Sequence, residues 1–231
     1  MREGIFSIII FMLGALLFAS WIEYLRRPRL KISAEPQPVD VEFGDGFPAK
    51  RGRYVRVLVY NRPNHWLVRW MIVRAPAQQC RAFISFHHPM SSDVFGRSMQ
   101  GRWARDEQPV KSDILNLNGE KVFELVNIAA LIIRSRKDIY AGEREILDIA
   151  LRANEDDECY GWNDESYASI PAWRNPRWRL PSGRYVIKVS VQESGRNHVG
   201  YFRLMNNDRR VDFRLEAASH HEIRNVKRYA G

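Results

Sequence analysis

A mainly β protein is predicted: an immunoglobulin-like β-sandwich preceded by one N-terminal transmembrane helix. Three observations carry this expectation. The run from Ile5 to Ile22 contains no charged residue. The remainder breaks into many short segments rich in β-branched and aromatic residues, several of which alternate with period two, separated by Gly, Pro and Asn turns. Almost none of that remainder shows helical periodicity, which leaves a sandwich as the natural way to bury alternating faces. With 231 residues, 45% of them hydrophobic, the chain can bury one sizeable core. It divides into an anchor with a basic flank (1–27), a sandwich domain (28–217) and a basic tail (218–231).

The anchor comes first. "IFSIIIFMLGALLFASWI" would form a helix about 27 Å long, close to the ~30 Å hydrocarbon core of a bilayer. Only Ser7 and Ser20 interrupt its apolar surface, and both can bond back to helix carbonyls. A cleaved signal peptide needs small residues one and three places before the cut, where this sequence offers Phe18 or Leu17, so an uncleaved signal-anchor is expected. Arg2 precedes the run, whereas Arg26, Arg27, Arg29 and Lys31 follow it. The heavier cationic flank stays inside, so a single-pass protein of the cell membrane with a cytoplasmic main domain is expected, an extracytoplasmic domain being the alternative. Trp21 and Tyr24 suit the headgroup layer, and the four cations beyond them suit anionic lipid headgroups.

In the soluble part, "PRLKIS" reads as a strand with Leu30 and Ile32 on one face, followed by a loop rich in Pro and Gly. "RYVRVLVYN" (53–61) and "CRAFISF" (80–86) read as core strands, the second placing Cys80, Ala82, Ile84 and Phe86 on one side. Between them, "RPNHWLVRWMIVRAPA" is apolar on both faces apart from Arg69; a packed strand is expected, with an aromatic loop that meets a partner as the alternative. Loops around one short strand at Trp103 come next, then "KVFELVNIAALIIRS", read as strand. "EREILDIALRA" should point Leu147, Ile149 and Leu151 inward and Asp148, Ala150 and Arg152 outward. "LPSGRYVIKVSVQES" carries an inward face of Tyr185, Ile187, Val189 and Val191, and "GYFRLMNNDRRVDFRLEA" reads as a hairpin. In the tail, Ser219 and Glu222 have capping-box spacing, with Ile223 and Val226 on one side of a short helix; a frayed terminus is the competing expectation.

The segments "GRYVRVLVYN", "APAQQCRAFISF", "GRWA", "AGEREILDIAL" and "LPSGRYVIKVSVQ" followed by "GYFRL" stand in an order that resembles uncharacterised prokaryotic membrane-anchored proteins with an immunoglobulin-like, adhesion-module-like β-sandwich. The resemblance spans residues 28 to 216 and rests on packing motifs and turns. It implies the fold and no catalytic residues. The "RPNHWLVRWMIVR" stretch lengthens one connection relative to that pattern.

Chemistry is sparse. The formal charge of +9 favours anionic partners, but no nucleic-acid-binding pattern accompanies it, and nucleic acid is not expected as a partner. Cys80 and Cys159 have neither zinc nor redox spacing. His87-His88 and His220-His221 are adjacent pairs, which point apart and lack the same-face spacing of zinc sites. "NEDDECYGWNDES" misses the EF-hand pattern and reads as a solvated acidic loop, able to fold back on the arginines of "WRNPRWRLPSGR". Trp173, Arg174, Arg177 and Trp178 interleave aromatic and basic character and are candidate partner-binding residues, packing tryptophans being the bland reading. No nucleophile elbow, P-loop or dinucleotide fingerprint is present. No cofactor, metal or catalytic residue is expected. The chain reads as a non-enzymatic interaction module that binds the bilayer through its helix and an unidentified protein through loops or a sheet edge. An outward-facing carbohydrate- or surface-binding domain is the alternative, and a metal-dependent enzyme the weaker one.

Overall fold

The computed structural model describes residues 2–43, 50–90, 93–104, 111–115, 121–126, 136–167, 169, 174–207 and 209–229, with the side chains of the first helix described at Phe6 and from 10 to 26. In chain order the elements are α1 (Arg2–Arg26), β1 (Leu30–Ala34), β2 (Val39–Phe43), β3 (Lys50–Asn61), α2 (Trp66–Arg69), β4 (Ala77–His87), β5 (Met99–Gln100), β6 (Arg102–Trp103), β7 (Lys111–Leu115) and β8 (Lys121–Val126). There follow β9 (Lys137–Ile139), β10 (Arg144–Ala153), β11 (Cys159–Gly161), α3 (Asp164–Tyr167), β12 (Arg179–Leu180), β13 (Gly183–Glu193), β14 (Arg196–Asn206), β15 (Arg214–Ala217) and α4 (His220–Tyr229).

Two antiparallel sheets pack face to face. In the first, β1 and β2 pair with successive halves of one side of β3, β10 pairs with its other side, and β6 and β11 lie beyond β10, with β12 outermost. The second runs β15-β14-β13-β4, with β5 and β9 on the far side of β4; β7 and β8 form a separate hairpin. Between the sheets one buried cluster joins Val55, Val57 and Val59 of β3 and Leu147 and Ile149 of β10 to Ala82, Ile84 and Phe86 of β4 and Ile187, Val189 and Val191 of β13. Both inward faces expected for β4 and β13 are therefore borne out. The sheets approach so closely near β1 that a Cβ at Gly200 would stand 2.9 Å from the Phe202 ring and 3.1 Å from Cβ of Ile32. The tight β13–β14 turn is closed by Ser194 at φ 43° and Gly195 at φ 79°, the left-handed pair that matches strand twist in a two-residue hairpin.

Two expectations are corrected. In β10, Asp148, Ala150 and Arg152 are buried rather than solvent-facing, because a register shift between Asp148 and Ala150 bends the strand and its outer face is covered. There Arg56 Nε donates to Asp148 at 2.6 Å, while Arg152 donates to the Asp156 carbonyl and to Asn206. The 62–76 connection is not a strand: it holds the single helical turn α2 and presents most of its apolar side chains outward. The short capped helix expected in the tail is borne out at its described residues, which are not frayed. Ser219 and Glu222 close the capping box, Ser219 N donating to the Glu222 carboxylate at 2.7 Å and Glu222 N to Ser219 Oγ at 3.4 Å, and Val226 is buried.

Among the described residues no helix is long and apolar enough to cross a membrane, the side-chain-described part of α1 from 10 to 26 being short for a span. The described apolar side chains of α1 from Ile10 to Phe18 are exposed, and only Ile22 and Leu25 in its last turns are half-buried.

Candidate functional site

Pairing registers place several features at one end of the sandwich. Asn61 at the end of β3 pairs with Leu30 at the start of β1, so the end of α1 sits where β3 finishes. Asn61 is buried, and its amide donates to the carbonyls of Ala75 at 3.1 Å and Ile139 at 3.0 Å, tying both sheets together there. β4 starts and β13 finishes at the same end, since Arg81 pairs with Gln192.

A helix ends in carbonyls without intrahelical partners, and the 62–76 connection meets two carbonyls at the end of α1, that of Arg26 and that of the following Arg27. Ala75 N donates to the Arg26 carbonyl at 2.7 Å, and Arg74 Nη1 to the Arg27 carbonyl at 3.0 Å. Arg62 N donates to the Arg29 carbonyl at 3.0 Å, and Arg29 N to Asn61 Oδ1 at 3.2 Å. Arg74 is buried and also donates to Asn64, whose own amide donates to the Ile72 carbonyl at 2.8 Å. Burial first, then the neighbouring Arg29, pulls the Arg74 guanidinium below its ordinary pKa. Of the sequence-predicted interface residues, Trp21, Tyr24, Arg26, Arg27, Arg29 and Lys31 are all exposed in this region. Arg29 lies over the Tyr24 ring at 4.7 Å and Trp21 packs beside Phe18 at 5.9 Å.

Around that framework, Trp66, Leu67, Trp70, Met71 and Val73 stand out from the surface, Trp66 and Trp70 being 73% and 79% exposed, while Val68 and Ile72 are half-buried. Sequence reasoning assigned this segment to the packed strand. The signal that separates the two readings was present: Pro63 and Pro76 bracket it, and each removes a ladder donor from a would-be central strand. At the same end, a polar cleft of about 540 Å³ opens between the start of β4 and the β13–β14 turn, lined by Gln79, Arg81, Arg136, Glu193 and Arg196 among others. Gln79 holds φ 50° at the irregularity where β4 meets β9, with its N–H donating to Asp138 at 2.7 Å.

The second candidate surface comes apart at the opposite end. The acidic segment does fold back on the arginines: Arg174 forms a two-pronged bond to Asp156 at 2.7 and 2.9 Å, and Arg179 pairs with Glu158. Arg179 holds the Glu158 carboxyl below its usual value. Trp178 is 3% exposed, packs edge-on against Phe95 at 5.1 Å and donates its indole N–H to Glu165 at 3.2 Å, so it is a core residue and not a binding platform. Arg177 is exposed, and Trp173 lies outside the described residues. Among the three described residues, Trp178 is buried, Arg174 half-buried and Arg177 exposed, so these three do not form one exposed face.

Among the described residues no group of three or more His, Cys, Asp or Glu is placed to hold a metal. Cys80 and Cys159 are separate, buried, free thiols; burial pushes Cys80 up to about 12 and raises Cys159 as well. Comparison with family models, with curated proteins and with solved structures finds no match.

Proposed function

We propose that the chain is a membrane-anchored, non-enzymatic interaction module: α1 spans the bilayer once, and an immunoglobulin-like sandwich is held against the cytoplasmic face, where it meets a protein partner. The observation that carries this reading is the exposure of α1. From Ile10 to Phe18 its side chains cover every side of the helix, and Phe11 and Leu17 are more than 70% exposed. A helix that is apolar all round requires an apolar surround, and the sandwich does not supply one. The uncharged stretch from Ile5 to Ile22 has the length for a bilayer, and the arginines that follow favour retention of the domain on the cytoplasmic side.

Two measurements test the reading. The full chain should stay in the membrane pellet after alkaline carbonate extraction, and Leu13→Arg with Leu17→Arg should release it. A reporter fused after Gly231 should be active only in the cytoplasm, and replacing Arg26, Arg27, Arg29 and Lys31 by Gln should weaken that bias. Quantitative release of the unaltered chain by carbonate overturns the anchor, and activity of an exterior-dependent reporter overturns the orientation.

A further inference from the structure

We propose that the 62–76 connection is a second membrane contact, seated in the headgroup layer of an anionic bilayer beside the end of α1; this rests on the membrane reading of α1. Five large apolar side chains, Trp66, Leu67, Trp70, Met71 and Val73, stand outward within eight residues. An isolated exposed apolar residue is ordinary on a protein surface, but a contiguous group of this kind marks an interaction site.

The occupant is identified by position and by charge. The bonds from Ala75 N to the Arg26 carbonyl and from Arg74 to the Arg27 carbonyl make this segment the cap of α1, so it cannot swing away without leaving helix carbonyls unpaired. Arg74, buried at the base and bonded to Asn64, fixes the segment's stem. Once the helix is in a bilayer, the exposed group is thereby held at the level where α1 leaves the hydrocarbon. The stretch from Arg62 to Pro76 contains three arginines and no acidic residue, and it adjoins Arg26, Arg27 and Arg29. Cations of this density at a membrane surface favour anionic headgroups. Tryptophan is the side chain best suited to that layer, and the Trp70 N–H is already satisfied by the Leu67 carbonyl at 2.9 Å, so its ring enters without stranding a donor.

The test uses the full chain reconstituted into vesicles of phosphatidylcholine and phosphatidylglycerol, with lipids brominated at known depths as quenchers of tryptophan emission. Three proteins are compared: Trp21→Phe, Trp66→Phe with Trp70→Phe, and the triple variant that carries all three changes. Both changes at 66 and 70 are at exposed positions, so the fold is retained. Shallow bromines should quench the Trp21→Phe protein, and most of that quenching should be lost in the triple variant, while Trp21 keeps the double variant quenched. If instead the Trp21→Phe protein shows no lipid quenching and its exposed tryptophans answer only to aqueous iodide, or are shielded from both quenchers by another protein, the proposal is overturned while the anchor stands. If Trp21 in the double variant is also unquenched, and carbonate releases the chain, the membrane reading and this contact fall together.

Discussion

Replacing Glu222 by Gln should loosen α4 from the sandwich, by an amount the geometry bounds. The Glu222 carboxylate accepts two hydrogen bonds from Arg203, from Nε and Nη2, each at 2.7 Å, and two more from Ser219, from N and Oγ, each at 2.7 Å. These bonds, Arg203 foremost, hold its carboxyl at about 2, against an ordinary 4.5. That difference corresponds to about 3 kcal/mol at neutral pH as an upper bound. The Arg203 side chain is 29% exposed, so solvent screens part of it, leaving about 1–2 kcal/mol. Because the folded pKa lies below the unfolded one, the contribution is complete above about pH 4.5 and is lost as pH falls through about 2. The assay is amide hydrogen exchange of Ile223 to Arg228 in the full chain in detergent micelles. Glu222→Gln should accelerate exchange about 5- to 30-fold at pH 7 relative to the unaltered chain, and the ratio should approach one near pH 2. Unchanged exchange at pH 7, or a ratio that persists undiminished at pH 2, refutes the reasoning.

Other perturbations probe the core. Ile187→Asp buries an unpaired charge and should cost on the order of 4 kcal/mol or more, abolishing cooperative unfolding, whereas Lys188→Asp, at a half-buried position on the other face, should be mild; equal tolerance would show the β13 phase to be wrong. Gly200→Val forces the Phe202 ring and Ile32 apart and should lower stability by about 1–3 kcal/mol, read as a fall in Tm; an unchanged Tm would mean that β1 does not pack on β14 so closely. Neither Cys80 nor Cys159 should react with a thiol reagent at pH 8 until the chain unfolds, and rapid labelling of the native protein would contradict their burial.

The alternation of Cys80, Ala82, Ile84 and Phe86 and of Tyr185, Ile187, Val189 and Val191 was legible because each set shares one face, and a period of two reports that face directly. Local chemistry was equally legible: the Ser219–Glu222 box and the β14–β15 hairpin need only neighbours in sequence. The basic flank after α1 could also be read from residue type and spacing alone. What could not be read depended on which distant segment covers a face. Asp148 and Arg152 look solvent-facing by alternation, yet Arg56 lies opposite the first, and Asn206 and the Asp156 carbonyl meet the second. Trp178 sits in a basic, aromatic stretch that suggested a binding face, and only the arrival of Phe95 and Glu165 from elsewhere made it core. The 62–76 connection is the converse case. Its apolar residues suggested burial, but β3 and β4 belong to different sheets, so the chain must cross between them there, and its backbone bonds are made mostly within its own helical turn, with Ala75 N bonding to the end of α1. Periodicity records how a segment would meet one solvent boundary; where that boundary lies is set by contacts between residues far apart in sequence, and only the tertiary structure contains them.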